Sequence, residues 1–240
     1  MSSFKAFRIH EENQKVVARF EQLKLDDLAA GDVVVRVTHS DINFKDVLAA
    51  TGAGKILRRY PLVGGIDFAG VVESSDDSRY SVGDPVLVTG SGLSETHDGG
   101  YSELARVKGE WVIPMPAGLD AASAMALGTA GFTAALAIHR MERNGQTPER
   151  GPIVVTGASG GVGSIAIDML SGRGYEVVAV SGKESSHEYL KTLGAKTVLV
   201  RQQLEMGTRA LESVRFAGAI DNVGGDTLAW LTREIGRAHV

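Results

Sequence analysis

The hydrophobic positions of this chain change period near residue 121, and the change separates two kinds of predicted element. Before it, short apolar stretches alternate with polar positions at period two, punctuated by turn residues. Residues 4–9 and 15–20 read as an edge hairpin, and Asp32 to Val37 as a strand entered from the turn Gly31-Asp32. Phe68 to Glu73, Pro85 to Thr89 and a stretch from Gly99 to Val107 are further strands. Asn43 to Thr51 has helical spacing, with Asp41 as its expected cap. Short strands at this regular spacing predict a small β-barrel-type domain. Beyond residue 121, Ala-rich helical segments alternate with apolar strands, which predicts a parallel α/β sheet. Its strands are Ile153 to Val155, Glu176 to Ser181, Thr197 to Val200 and Phe216 to Asp221. Ser185 and Glu188 have the spacing of a capping box for the helix after the second of these.

The first strand of that sheet runs directly into the turn Gly157-Ala-Ser-Gly-Gly-Val-Gly163, and the segment Val162 to Leu170 is apolar at helical spacing. Gly157, Gly160 and Gly163 suit a tight turn, close backbone approach to a pyrophosphate and close helix–strand packing. The amides and dipole at the helix start then face the phosphates. Thirty glycines in 240 residues produce chance matches to G-x-G-x-x-G, but strand–turn–helix context makes this match a dinucleotide-binding signal. The second strand ends in Ser181-Gly182-Lys183, where an NAD site places a carboxylate for the ribose 2′-hydroxyl. A hydroxyl and an ammonium suit a 2′-phosphate instead, and Arg201 after the next strand adds a second cation. NADPH is therefore the expected cofactor.

Composition narrows the class. The chain has 43% hydrophobic and 22% charged residues with a net charge of −4, and it is long enough for two domains. No basic face or polybasic run points to nucleic acid. No apolar stretch of about 18 residues is evident, so no membrane partner is expected. The first residues lack a signal-peptide layout, so a cytoplasmic location is the default expectation. There is no cysteine, which removes thiolate nucleophiles and cysteine-ligated zinc. The six histidines show no ligand spacing.

Seven strings in order carry a family resemblance: SDINFKDVLAATGAGKI (40–56), PLVGGIDFAGVV (61–72), GGYSELARVKGEWV (99–112), GTAGFTAALAI (128–138), VVTGASGGVGSIAIDML (154–170), VVAVSGKESSHEYLKTLGA (177–195) and AGAIDNVGG (217–225). Together they resemble the medium-chain dehydrogenase/reductase superfamily, in its zinc-free quinone-oxidoreductase-like branch, and most closely its acryloyl-CoA reductase group. The resemblance implies an α/β chain with a GroES-like β-barrel-type domain over 1–122 and an incomplete, doubly wound Rossmann sheet over 123–234. Residues 235–240 do not continue the pattern and are expected to be a non-native tail. The resemblance also implies a longer, homodimeric parent, and a chain of this length is expected to be poorly stable and poorly active.

Where the zinc branch has Gly-His-Glu, this chain has Gly65-Ile66-Asp67, so no metal is expected. The implied reaction is hydride transfer from NADPH to an activated alkene such as acryloyl-CoA. Quinone reduction is the alternative, and non-catalytic NADPH binding, as in crystallins of this branch, is a reading of another class. Asn43, Lys45 and Asp46 match the catalytic segment: Asn43 and Lys45 as donors to the substrate oxygen or nicotinamide amide, Asp46 to orient Lys45. Phe44, where relatives often have Tyr, can stack on the cofactor but cannot give a proton. Ser159, Gly160, Gly161 and Val162 are expected along the pyrophosphate, and Ser181, Lys183 and Arg201 around the 2′-phosphate. Thr129 and Thr133 are expected below the nicotinamide, with helix capping an equal explanation. Lys55, Arg58 and Arg59 form a basic patch that suits CoA phosphates, although a solvated loop explains it better.

Overall fold

The computed structural model describes residues 3–204, 207, 209 and 212–236. The last four residues of the expected tail, 237–240, lie outside these. The chain forms two compact units, Met1–Thr129 and Ala130–Val240.

In the first unit, β1 (Phe4–Glu12) and β2 (Lys15–Leu23) make a hairpin three residues longer per strand than the sequence pattern suggests. Asn13 and Gln14, at φ 51° and 62°, form the turn between them, a geometry whose twist suits a two-residue hairpin. Next come β3 (Val33–Ser40), α1 (Phe44–Thr51), β4 (Leu62–Val63), β5 (Asp67–Ser75), β6 (Pro85–Thr89), β7 (Leu104–Val107) and β8 (Ile113–Pro114). They pair into an antiparallel sheet of order β2-β1-β4 and another of order β7-β3-β5-β6-β8. Val33, Val35, Phe68, Val72, Val86, Val88, Ala105 and Val107 pack on one face of the five-stranded sheet. The strand predicted from Gly99 is shorter than expected. Gly99 and Gly100 instead lie against Gly64, Gly65 and Asp67, where a Cβ on Gly99 would come within 2.1 Å of the Gly65 carbonyl oxygen.

Helix α2 (Ala121–Arg143) is broken at Gly128, whose φ of 48° and ψ of −153° are not helical. It is 23 residues long and apolar enough to cross a membrane by length and composition, contrary to the sequence expectation of no such stretch. Its periodic small residues hide that length in the sequence. Ala124 and Met125 pack in the first unit, and Ala134 and Ile138 are buried in the second, as in a core helix.

The second unit alternates β9 (Ile153–Thr156), α3 (Gly161–Gly172), β10 (Val177–Ser181), α4 (His187–Thr192), β11 (Thr197–Val200), β12 (Gly218–Ile220) and α5 (Gly225–Glu234). The strands form one parallel sheet of order β11-β10-β9-β12. All four residues of β9 are buried, as a strand covered on both faces requires. The strand order reverses at β9, so the crevice beyond the carboxyl ends of β9 and β12 is the expected ligand position. The capping box expected from Ser185 and Glu188 does not form. A short 3-10 turn (Glu184–Ser186) precedes α4, and Glu188 pairs with Lys191 at 2.9 Å.

Candidate functional site

In the second unit, Gly157 takes φ 58°, and a Cβ on it would lie 3.1 Å from that of Asn222. A Cβ on Gly163 would lie 2.5 Å from the Gly157 carbonyl oxygen and 2.8 Å from Ala158 Cα. These contacts force glycine for two different reasons: backbone conformation at Gly157 and close approach at Gly163. Gly161 leaves room for Ala130, since its Cβ would lie 3.1 Å from that of Ala130. Gly160 caps α3, and Ser159, Gly160, Gly161 and Val162 line the turn at its N-terminus. This cradle of backbone amides suits a pyrophosphate.

Ser181 ends β10 directly beside Val200 of β11, so Lys183 and Arg201 follow adjacent strand ends. Both are exposed, and among the described residues neither has an ion-pair partner. Ser181 itself is only 2% exposed. Its hydroxyl accepts from the Lys183 backbone N–H at 3.1 Å and lies 3.4 Å from the Ser159 hydroxyl. Ser181 therefore braces the turn that presents Gly182 and Lys183. Gln202, which the sequence did not single out, has its amide nitrogen 3.6 Å from where a Gly182 Cβ would sit.

At the switch point the structure adds a network that sequence reasoning missed. Thr156, fully buried, donates its hydroxyl to Asp221 at 2.5 Å and accepts from the Asn222 N–H at 3.0 Å. The Asn222 side-chain amide donates to the Thr156 carbonyl at 2.9 Å, tying the ends of β9 and β12 together. An Asp-Asn pair between a strand and Gly224-Gly225 was the available signal. A cavity of about 660 Å³ near Gln146, Pro152, Phe216 and Gly218 adjoins the opposite, amino ends of these strands and is not the crevice.

In the first unit, Asn43 rather than Asp41 is the N-cap of α1. Asp46, 3% exposed, accepts from the backbone N–H groups of Asn43 at 2.8 Å and Ile66 at 3.0 Å. Burial pushes its carboxyl above the usual range, against the pull of those two N–H groups. The expected role of Asp46 in orienting Lys45 is therefore corrected. Lys45 instead donates to Glu95 at 2.6 Å, and Glu95 is held below its usual range chiefly by that hydrogen bond. An ammonium has three hydrogens, so Lys45 keeps donors for a ligand. Phe44 is 78% exposed, and Thr133 is exposed on α2.

Asp67, fully buried, joins several of these residues. It accepts from Asn43 Nδ2 at 2.9 Å, from the Thr129 N–H at 2.8 Å and from the Thr129 hydroxyl at 2.6 Å. Asn43 Nδ2 also donates to Asp41 at 2.8 Å. Both amide hydrogens of Asn43 are thus committed, which corrects its expected role as a donor. Gly128 makes room for this cluster, since a Cβ there would lie 2.0 Å from Asp41 Oδ2 and 3.0 Å from Asp67 Oδ2. The sequence showed Asp67 only as a departure from the zinc pattern. Its burial at the start of a strand was not legible. In the basic patch, Arg59 binds the Thr96 carbonyl at 2.9 Å, Arg58 lies 3.9 Å from Glu95, and Lys55 is exposed.

Burial, then the charge of Asp67, pushes Asp41 up to about 7. A carboxyl with a raised pKa stabilises the fold most fully below its unfolded pKa of about 4, and loses that contribution as pH rises toward 7. Asp41→Asn copies the protonated form, donating to Asp67 and accepting from Asn43. The variant is therefore expected to melt at a progressively higher temperature than the parent between about pH 5 and pH 8. Parallel melting curves across that range check this, and a constant difference would contradict it.

Residues 29–117 match the Alcohol dehydrogenase GroES-like domain family. The Probable acrylyl-CoA reductase AcuI of Escherichia coli (strain K12) is 52% identical over 224 residues, covering 93% of this chain and 69% of that protein. The Putative quinone oxidoreductase YhfP of Bacillus subtilis (strain 168) is 46% identical over 233 residues, covering 97% and 71%. The crystal structure of YhfP with NAD bound gives a TM-score of 0.93 at 45% identity, covering 98% of this chain and 72% of that one. The yhdH oxidoreductase of Salmonella enterica, in complex with NADP, gives 0.94 at 48% identity, covering 98% and 72%. Motif order, two-unit fold and these matches agree: the chain belongs to the medium-chain dehydrogenase/reductase superfamily, in its zinc-free quinone-oxidoreductase-like branch with the acrylyl-CoA reductases.

Proposed function

We propose that this protein is an NADPH-dependent reductase of an activated carbon–carbon double bond, with acryloyl-CoA as substrate and propionyl-CoA as product. The observation that carries the choice of NADPH is the pair of exposed cations, Lys183 and Arg201, at adjacent strand ends with no carboxylate at position 181. The glycine cradle fits the pyrophosphate, because Cβ atoms at Gly157 and Gly163 would fill it. The substrate choice rests on the 52% and 50% identity to proteins named acrylyl-CoA reductase.

Bound NADPH supplies the hydride, delivered to the β-carbon of the thioester. Negative charge then develops on the thioester oxygen, and the α-carbon takes a proton from solvent water, which closes the balance of one hydride and one proton. Lys45, held by Glu95 but with hydrogens to spare, stabilises that oxygen. Ser159, Gly160, Gly161, Val162 and Gly163 bind the pyrophosphate, while Lys183 and Arg201 bind the 2′-phosphate. Phe44 gives an apolar face for the cofactor, and Thr129 and Thr133 lie below the nicotinamide. Asp46 keeps the segment 43–46 in place. The domain division follows the same reading, with a GroES-like unit and an NADP-binding unit, and the protein acts as a homodimer in the cytoplasm.

Quinone reduction is the second reading, favoured by the 46% identity to a putative quinone oxidoreductase. NADPH consumption, measured with acryloyl-CoA, other enoyl-CoAs and quinones, separates the readings. Acryloyl-CoA is expected to be the preferred acceptor. Faster turnover of quinones would reject the substrate assignment, and tight NADPH binding without turnover would point to a non-catalytic binder.

A further inference from the structure

We propose that Glu95 is a positioning residue: a strained turn presents its carboxylate to Lys45 and fixes the ammonium that acts on the substrate oxygen. The inference rests on the reading of Lys45 given above and adds to it what holds that side chain in place. Glu95 lies in the turn Gly90–His97 of the first unit, where Gly90, Ser91, Gly92 and Ser94 all take positive φ, between 51° and 82°. Two of these are serines, for which the left-handed region costs free energy. Ser94 is also fully buried, and its hydroxyl has no partner among the described residues, which adds a further cost. Such a turn persists only where its surroundings over-determine it, and strain of this kind clusters at functional sites.

Within the turn, the Ser94 N–H donates to the His97 carbonyl at 2.8 Å and the His97 N–H to the Gly92 carbonyl at 3.0 Å. From outside, the Gly90 N–H donates to the Ile66 carbonyl at 2.9 Å and the Arg58 N–H to the Glu95 carbonyl at 2.8 Å. The Arg59 guanidinium donates to the Thr96 carbonyl at 2.9 Å, so the basic segment braces the turn. Held this way, Glu95 Oε2 accepts from Lys45 Nζ at 2.6 Å, while Oε1 lies 3.9 Å from Arg58 Nε. One ammonium hydrogen is thereby fixed on Glu95, which sets the directions of the other two.

The test is a double-mutant cycle, read as NADPH consumption with acryloyl-CoA. Glu95→Ala is expected to lower kcat by roughly 10- to 100-fold with KM nearly unchanged, as a charged hydrogen bond expressed in the transition state implies. Glu95→Gln keeps an acceptor facing the ammonium and should recover a large part of that loss. Lys45→Ala should be impaired at least as much as Glu95→Ala, and combining the two should cost nothing further, because Glu95 acts only through Lys45. A Glu95 that merely supported the fold would give independent, additive losses. Unchanged kcat in Glu95→Ala, or additive losses in the double variant, overturns the proposal. A fully active Lys45→Ala is a distinct result, which overturns the reading of Lys45 and the proposal with it.

A second measurement needs neither turnover nor Glu95→Ala. Amine labelling of the unmodified protein, followed by mass spectrometry, should modify Lys45 several-fold more slowly than exposed Lys55, because Glu95 engages its ammonium. Glu95→Gln should speed labelling at Lys45 alone. Equal labelling of the two lysines in the unmodified protein overturns the proposal even if Glu95→Ala fails to fold.

Discussion

Gly163→Ala is expected to lower the melting temperature by several degrees and to weaken NADPH binding by at least about tenfold. The added Cβ would sit 2.5 Å from the Gly157 carbonyl oxygen and 2.8 Å from Ala158 Cα. These are backbone atoms of a tight turn, with no flexible side chain to move aside. Either α3 shifts away from β9 or the turn opens, and both moves displace the amides that face the pyrophosphate. Overpacking of this kind costs about 1–3 kcal/mol. Gly172→Ala, in the same helix, is the control. Nothing lies within 4 Å of its Cβ position, so that variant should be neutral or more stable with unchanged binding. Thermal melting and cofactor titration of the two variants check the contrast. Equal behaviour would place the cradle elsewhere.

Lys183→Glu is expected to weaken NADPH binding by roughly 10- to 100-fold and to leave NADH binding nearly unchanged. A hydrogen bond to a charged group is worth about 1.5–3 kcal/mol, and the substitution also sets a carboxylate against the 2′-phosphate. Lys183 is exposed and its backbone N–H is held by Ser181 at 3.1 Å, so the side chain can change without disturbing the fold. Arg201 remains after the adjacent strand, which is why binding should weaken and not vanish. Titrating both dinucleotides into parent and variant measures the effect. A parallel loss for NADH would mean that Lys183 acts on the turn and not on the phosphate.

The local elements were legible where one constraint dominates. An apolar, β-branched run such as Ile153-Val154-Val155 before a glycine turn fits a buried strand, and Thr197–Val200 is predicted with its observed bounds. The hairpin is underestimated because His10, Glu11 and Glu12 at the end of β1 and Glu21 and Gln22 near the end of β2 are polar, yet the backbone pairs from Phe4↔Leu23 through Glu12↔Lys15. The segment 99–103 reads as a strand because its glycines look like a turn. They are there to let two backbone segments touch.

Site residues joined through local sequence were easier to read than those joined through space. Lys183 and Arg201 follow from strand ends and charge. The partner of Lys45 is Glu95, fifty positions away, and Asp67 reaches Thr129 across 62 positions. No spacing rule reveals such pairs. Asp46 misled for the opposite reason: a carboxylate next to a lysine in sequence points to a different face of a helix, where Ile66 and Asn43 hold it.

The charge that meets the adenosine ribose decides the cofactor, and with it the proposed chemistry. Side-by-side fluorescence titration of NADPH and NADH into the unmodified protein is the most direct trial. The prediction is a clear preference for NADPH that fades as salt is raised, since exposed cations are screened. Equal affinity for the two, or a preference for NADH as the NAD found in the Bacillus subtilis relative would suggest, would contradict it.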